Sequence, residues 1–553
     1  MRLTGFALLG NHFLATASSV DGVRPLVVAA MVCVAFAGAR PAAALDNSGG
    51  LSSVRAQRFG REDLPNANAA GDDRFSFAFA AGDFNGDGAS DLASGVPTSD
   101  GTSATPVDQC GQVVVRYGGL GAGLEEGLAP VVLGQFLGGF PEDGDLFGRS
   151  LAACDLNGDG FDDLAVGVPL EDLTLGLNLT IVDSGVVEVY YGGSAGLAPP
   201  AGAALSNNSI QAAGQRLGWA LDCGDFDGNG FDDLVAGIPG GVVNNLAGAG
   251  RIRVWPGSPT GVGTGPITIH QDSEGMPGTA DAGDSFGEQL AVGDFDDDGF
   301  ADLAIAVPQE VQATPGLPVG VVQVVHGSPS GLTPTATLPI LNPDTVGDPD
   351  EGSFGLALAA GRFDDSDAID DLAIGSHSDD TFVNSGGAVY ILPGSSTGLG
   401  GIDRRITPES LFGAGASAPL DNFGYALAAG DFDGDGVGDL AIGAPGVEVT
   451  GNADGEVTIV TGEVLGEARA RVLRHGLEGI PGTETEHDLQ FGQALAAGDF
   501  DGDGHADLAV GAPLESEAGL PQVGTATVLY GALFADGFES GEFTYWSDVE
   551  TQS

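Results

Sequence analysis

The stretch Asp431-Phe432-Asp433-Gly434-Asp435-Gly436-Val437-Gly438-Asp439-Leu440 decides the fold. Side-chain oxygens stand at its first, third, fifth and ninth positions, and glycine stands at the sixth. Odd positions of a tightly turned loop point to one centre, and a sixth-position glycine permits the sharp turn. Four convergent carboxylates repel one another, so the pattern calls for a hard cation. Ca2+ accepts this many oxygens in irregular geometry.

The pattern recurs along the chain. The candidate metal ligands are Asp83, Asn85, Asp87 and Asp91; Asp155, Asn157, Asp159 and Asp163; Asp225, Asp227, Asn229 and Asp233; Asp294, Asp296, Asp298 and Asp302; Asp431, Asp433, Asp435 and Asp439; and Asp499, Asp501, Asp503 and Asp507. A degraded copy begins at Arg362, where position 1 is no longer acidic, the turn glycine is gone and one residue is inserted before Asp371-Leu372. It is expected to hold no ion, which leaves about six Ca2+ sites. With Arg362 included, successive copies begin 72, 70, 69, 68, 69 and 68 residues apart. So regular a period marks a repeat architecture.

Within the second repeat, 149–154 alternates weakly as a strand, and the acidic loop follows. Residues 163–169 form a short apolar run closed by proline, which predicts a buried strand. A variable loop of polar and glycine residues comes next. Residues 184–193 are β-branched and aromatic, a third strand, and 203–212 supply a fourth. No helical period is present in this unit. A small antiparallel sheet cannot cover both of its faces, whereas seven packed radially cover each other. The predicted fold is therefore all-β: a seven-bladed β-propeller of four-stranded antiparallel blades. The acidic loop becomes the hairpin between the first and second strands, so all metal sites line one end of the disc. Loops such as 170–183 and 309–320 lie at the other end. The last repeat lacks a fourth strand, and the spare segment 52–59 is expected to fill that place and close the ring.

Composition narrows the function. The net charge is −60, with 78 acidic residues against 18 basic ones, and every basic residue is Arg. Without a basic footprint, nucleic acid is not expected as a partner. No Walker loop exists without Lys, and none of the seven His belongs to an HExxH motif. An active site seldom repeats six times in register, so the chain is expected not to be an enzyme. Residues 1–44 read as a signal peptide with an apolar core at 25–38 and Ala42-Ala43-Ala44 as a small-residue cleavage signal. That predicts a secreted, extracellular or cell-surface protein with no membrane span in the mature chain. Residues 45–535 are assigned to the repeats and 536–553 to a tail. Cys33 leaves with the signal, and Cys110, Cys154 and Cys223 remain. Three cysteines allow at most one disulfide, and buried thiols are the default expectation.

Each repeat carries Phe-Gly, the acidic loop, Asp-Leu, then Gly-Ala-Pro, in full as Phe423-Gly424 with Gly443-Ala444-Pro445 and Phe491-Gly492 with Gly511-Ala512-Pro513. Variants are Phe147-Gly148, Leu217-Gly218 and Phe286-Gly287, and the first repeat opens with Phe75-Ser76. This set resembles the FG-GAP repeats of the integrin α-chain N-terminal region, over about residues 52–531. The resemblance implies a seven-bladed propeller with Ca2+ in its acidic loops. Such repeats occur in adhesion receptors, in secreted bacterial proteins and in a phospholipase that carries them beside a separate catalytic domain. The tail around Phe538 and Trp546 resembles a C-terminal segment of exported proteobacterial proteins, which suggests a bacterial source. The leading expectation is a calcium-stabilised adhesion scaffold that binds an extracellular protein or glycan. The alternative is a polysaccharide-acting enzyme with a site in the central channel.

Overall fold

The computed structural model describes residues 6–9, 12–15, 56–60 and 72–531, apart from stretches in several loops, of which 342–352 is the longest. The apolar core and cleavage signal of the expected signal peptide, and the C-terminal tail, lie outside the described residues. The chain divides into residues 1–52 and 53–553. In the first unit, Phe6–Leu9 and His12–Ala15 pair as an antiparallel hairpin.

In the second unit the described residues form seven four-stranded antiparallel sheets. Blade 6 shows the plan: Ala426–Gly430 pairs with Asp439–Ala444, which pairs with Glu456–Val460, which pairs with Ala470–Leu473. The first strand of each blade touches the first strand of the next, and Ala494–Gly498 of blade 7 touches Phe79–Gly82 of blade 1. The ring is a closed seven-bladed β-propeller. Seven inner strands converge on its axis, which explains their composition: Ala357–Gly361, Ala426–Gly430 and Ala494–Gly498 all read Ala-Leu-Ala-Ala-Gly. Second strands such as Asp163–Val168 are buried throughout, because sheets cover both of their faces. Outer strands such as Ala203–Ser206 are only half covered.

Ala56–Gly60 pairs antiparallel with Thr525–Leu529 as the outer strand of blade 7. Arg58 of that strand forms an ion pair with the buried Glu515, and the Tyr530 hydroxyl donates to Gln57. The two ends of the propeller therefore meet in one sheet, as the spare segment predicts.

The repeated Phe-Gly is an inter-blade joint. Phe147 is fully buried, and its N–H donates to the Cys110 carbonyl of blade 1 (3.0 Å). Phe75 does the same to Val523 of blade 7 (2.9 Å). The glycine that follows has positive φ (84° at Gly148), and blade 1 places Ser76 there at 69°.

The default expectation of buried thiols is corrected. Cys154 and Cys223 form a disulfide, with Cα atoms 6.2 Å apart. It joins the inner strands of blades 2 and 3, which the closed ring sets side by side; Cys110 is buried and takes no part in that bond. In the loop after the second strand of blade 2, Leu173–Leu175 and Leu179–Ile181 make a ribbon of their own. One helical turn, Pro408–Phe412, sits behind an N-capping Thr407 among the described residues.

Candidate metal centre

In blade 6 the acidic loop is the turn of the hairpin between Ala426–Gly430 and Asp439–Ala444. Its carboxylates fold it. Asp431 Oδ1 accepts the N–H groups of Gly434 (2.7 Å) and Asp435 (3.1 Å), and its Oδ2 accepts that of Gly436 (2.9 Å). Asp433 accepts from Asp435 (3.2 Å), and Asp435 accepts from Val437 (2.8 Å). The bonds from the fifth- and sixth-position N–H groups to the first Asp recur at Asp83, Asp155, Asp225, Asp294 and Asp499.

The ninth-position Asp has a second task. Asp439 is buried, its Oδ2 accepts Phe432 N–H and its Oδ1 accepts Gly462 N–H, both at 2.9 Å. One carboxylate thus ties the loop to the end of the third strand. Asp91, Asp302 and Asp507 do likewise. So does Asp371 of blade 5, with Phe363 and Gly394 each at 2.9 Å, although Arg362 holds position 1 there.

The loops are joined head to tail. The position-8 N–H of each donates to the position-1 carbonyl of the preceding blade: Asp162 to Asp83, Asp232 to Asp155, Ala301 to Asp225 and Asp370 to Asp294, then Gly438 to Arg362 and Ala506 to Asp431. Ser90 to Asp499, at 2.7 Å, closes the series. All seven hairpins therefore lie at one end of the disc.

Electrostatics follow from crowding. Burial, then the neighbouring Asp83 and Asp87 charges, pushes the Asp91 carboxyl up to about 8. Burial first, with repulsion inside the loop, raises Asp163 to about 7, Asp233 to about 6, Asp439 to about 7 and Asp507 to about 8. Carboxyl oxygens lie within 4.8 Å of one another in Asp294/Asp296/Asp298, Asp431/Asp433/Asp439 and Asp499/Asp501/Asp507. Loops one to three, each with one Asn, gather no such trio among the described residues. Asp296 Oδ1 is buried without a hydrogen-bond partner. Clustered carboxylate oxygens, mutual repulsion and a buried oxygen without a hydrogen-bond partner fit a divalent cation.

One blade differs. In blade 4, His326 turns Nδ1 to 2.9 Å from Asp302 Oδ2 and 3.2 Å from Asp296 Oδ2. The bond to Asp302 raises its pKa. Sequence reasoning missed it, because His326 follows the third strand and no motif links it to the loop.

A second cluster lies at the opposite end of the inner strands, on the residues that follow each Phe-Gly. The Arg149 guanidinium of blade 2 stands over the Phe77 ring of blade 1 (4.9 Å) and the Trp219 ring of blade 3 (4.5 Å). Trp219 hydrogen-bonds Glu288 of blade 4, whose carboxyl is raised by burial. Tyr425 of blade 6 stacks at a tilt on His377 (5.2 Å) and interacts electrostatically with Arg149. Contacts spanning blades 1 to 6 place this cluster at the axial mouth. Seen as sequence, these residues are only the variable position after each repeated glycine.

A closed propeller with an acidic hairpin in every blade but one defines a class that the comparisons name. The FG-GAP repeat signature matches residues 75–112, 147–190, 217–255, 286–323, 423–460 and 491–529, skipping blade 5. The chain is an FG-GAP repeat protein, and it is similar to the integrin α-chains. It is 28% identical over 307 residues to integrin alpha pat-2 of Caenorhabditis briggsae, covering 50% of this chain and 23% of the relative. It is 32% identical to integrin alpha-PS2 of Drosophila melanogaster over 41% of this chain and 15% of that one. It is 36% identical to a phosphatidylinositol-glycan-specific phospholipase D of Rattus norvegicus over 30% of this chain and 18% of that one. The matches thus span less than a quarter of these relatives' own length.

Proposed function

We propose that the chain is an exported, calcium-stabilised binding scaffold that holds a protein or glycan on the end of the disc away from the acidic hairpins. The observation that carries the binding reading is the axial mouth. Arg149, Trp219, Glu288 and Tyr425 set a cation, aromatic faces and a carboxylate together at the axis, a donor set suited to polar ligands.

In the six acidic hairpins, the side chains of positions 1, 3, 5 and 9 and the position-7 carbonyl would hold the ion. Bound Ca2+ supplies positive charge that offsets the repulsion among these carboxylates. The chain's own residues do the rest: the Asx turns shape the loop, and the ninth Asp transmits its position to the third strand. Blade 5 carries no ion in this reading. Export is supported by the Cys154–Cys223 disulfide, since such bonds persist in oxidising compartments. It is supported too by the extracellular setting of integrin-like relatives. No helix among the described residues is long and apolar enough to cross a membrane.

The phospholipase relative leaves an enzymatic role to be tested directly. Calcium-loaded protein is applied to a glycan array and to extracted surface proteins, beside Arg149→Ala and Trp219→Ala variants. Capture that both variants weaken, without product release from polysaccharides or phosphatidylinositol-glycans, is the expected result. Turnover of either substrate, or capture indifferent to both substitutions, overturns the reading.

A further inference from the structure

The residue before the glycine that ends the third strand is Tyr117, Tyr191, Pro256, His326, Pro393, Thr461 and Tyr530 in blades 1 to 7. The three tyrosines share one use. Their hydroxyls reach the next blade and accept N–H bonds from Leu197 (2.9 Å), Val262 (3.1 Å) and Leu124 (3.1 Å). They latch blades; Tyr117 and Tyr191 feel the charges of Asp91 and Asp163 without hydrogen-bonding them. His326 occupies the same place, and its outer edge also faces the next blade: a Cβ on Gly398 would lie 3.0 Å from Nε2. Its inner edge does what no tyrosine does. Nδ1 sits beside the Asp302 and Asp296 carboxylates, and the three groups offer ligand atoms within 4.8 Å of one another.

We propose that the blade 4 hairpin is a mixed nitrogen–oxygen site that takes a borderline divalent ion of the zinc or cobalt class, with His326 Nδ1, Asp296 and Asp302 as ligands. The proposal rests on the reading of these hairpins as cation sites. It separates this one from the others by donor chemistry. Calcium prefers oxygen, whereas imidazole suits zinc and its neighbours. The spacings of 2.9 and 3.2 Å suit the edges of a coordination shell with metal–ligand bonds of roughly 2.0–2.2 Å. Asp296 Oδ1 is buried and has no hydrogen-bond partner, so this carboxylate has an oxygen to spend on a metal. Asp302 is held by Phe295 N–H (3.1 Å) and Gly327 N–H (2.8 Å), which fixes its orientation before any ion arrives. The ring is held between Asp302 and the Gly398 backbone, so little rearrangement is needed. On binding, the Nδ1 proton is given up and the neutral ring keeps its other proton on Nε2.

The full chain, stripped of metal and returned to 2 mM Ca2+, is titrated with Zn2+ by calorimetry and with Co2+ by visible absorption. One equivalent of Zn2+ should bind with calcium still present, and Co2+ should give the ligand-field spectrum of a nitrogen-containing site. His326→Gln should weaken Zn2+ binding by at least about tenfold and leave the Ca2+ stoichiometry of the other hairpins unchanged. His326→Tyr, the residue of blades 1, 2 and 7, gives the same comparison with the inter-blade latch preserved, should the glutamine variant fold poorly. A zinc isotherm that neither substitution changes overturns the proposal while leaving the calcium reading intact. Failure of every hairpin to bind Ca2+ overturns both.

Discussion

Blades 5 and 6 make an internal control. Both tie the ninth-position carboxylate to two backbone N–H groups, Asp371 to Phe363 and Gly394, Asp439 to Phe432 and Gly462. Only blade 6 also presents Asp431, Asp433 and Asp435. The fold therefore needs the ninth Asp in every blade, and the other acids serve something the fold does not require. A degraded motif that keeps its structural member, with Arg362 in place of the first acid and no turn glycine, separates the two roles.

Calcium removal should give the largest effect. A site filled at a hundredfold excess over its Kd stabilises by about 2.7 kcal/mol. Emptying the calcium hairpins together should lower Tm by roughly 10–20 °C, read by calorimetry in EGTA against millimolar Ca2+. An unchanged Tm would erase the distinction between the two blades.

Substitution of the ninth Asp comes next. Asp439→Ala and Asp371→Ala each strand two buried N–H groups, at a cost of about 2–5 kcal/mol. Measured without calcium, the two losses should match. Measured with calcium, the Asp439→Ala loss should grow and the Asp371→Ala loss should not. Urea unfolding in both conditions reads this.

The pH response follows. The Asp91, Asp163, Asp439 and Asp507 carboxyls are raised to about 7 or 8, chiefly by burial, against about 3.9 when unfolded. A raised carboxyl binds its proton more tightly in the folded state. Its contribution is therefore complete below about pH 4 and is lost as pH climbs through 7 to 8. Metal-free protein should melt higher at pH 5 than at pH 8. Saturating Ca2+ holds these groups ionised and should flatten the profile.

The smallest effect concerns affinity. Asn85→Asp gives loop one the four-carboxylate set of loop six and should tighten Ca2+ binding several-fold, about 1 kcal/mol. Calorimetric titration reads it, and an unchanged Kd would show that ligand charge does not rank these loops.

Much of this was legible in the chain because every blade repeats the same spacing. Period and motif give the seven blades, the hairpin position of the acidic loops and the closure by an N-terminal strand. What stayed hidden depends on neighbours far apart in sequence. Cys154 and Cys223 stand a full repeat apart and meet only because adjacent inner strands lie side by side. Arg149, Trp219 and Glu288 occupy a position whose residue type changes from blade to blade, so no pattern marks it. His326 follows Asp302 by a whole strand and loop, and only the fold brings the two together. The Leu173–Leu175 and Leu179–Ile181 ribbon was visible as Leu-Thr-Leu and Leu-Thr-Ile, but the surrounding glycine and asparagine masked it.

The head-to-tail bonds between hairpins have a mechanical meaning. From Ser90 on Asp499 round to Ala506 on Asp431, they form a hoop that runs through the fifth blade as well as the six acidic ones. Tension on any one turn is handed to its neighbours on both sides. The blade whose first acid has become Arg362 still carries its share of that load, which is reason enough for Arg362 to keep its carbonyl where an aspartate's would be.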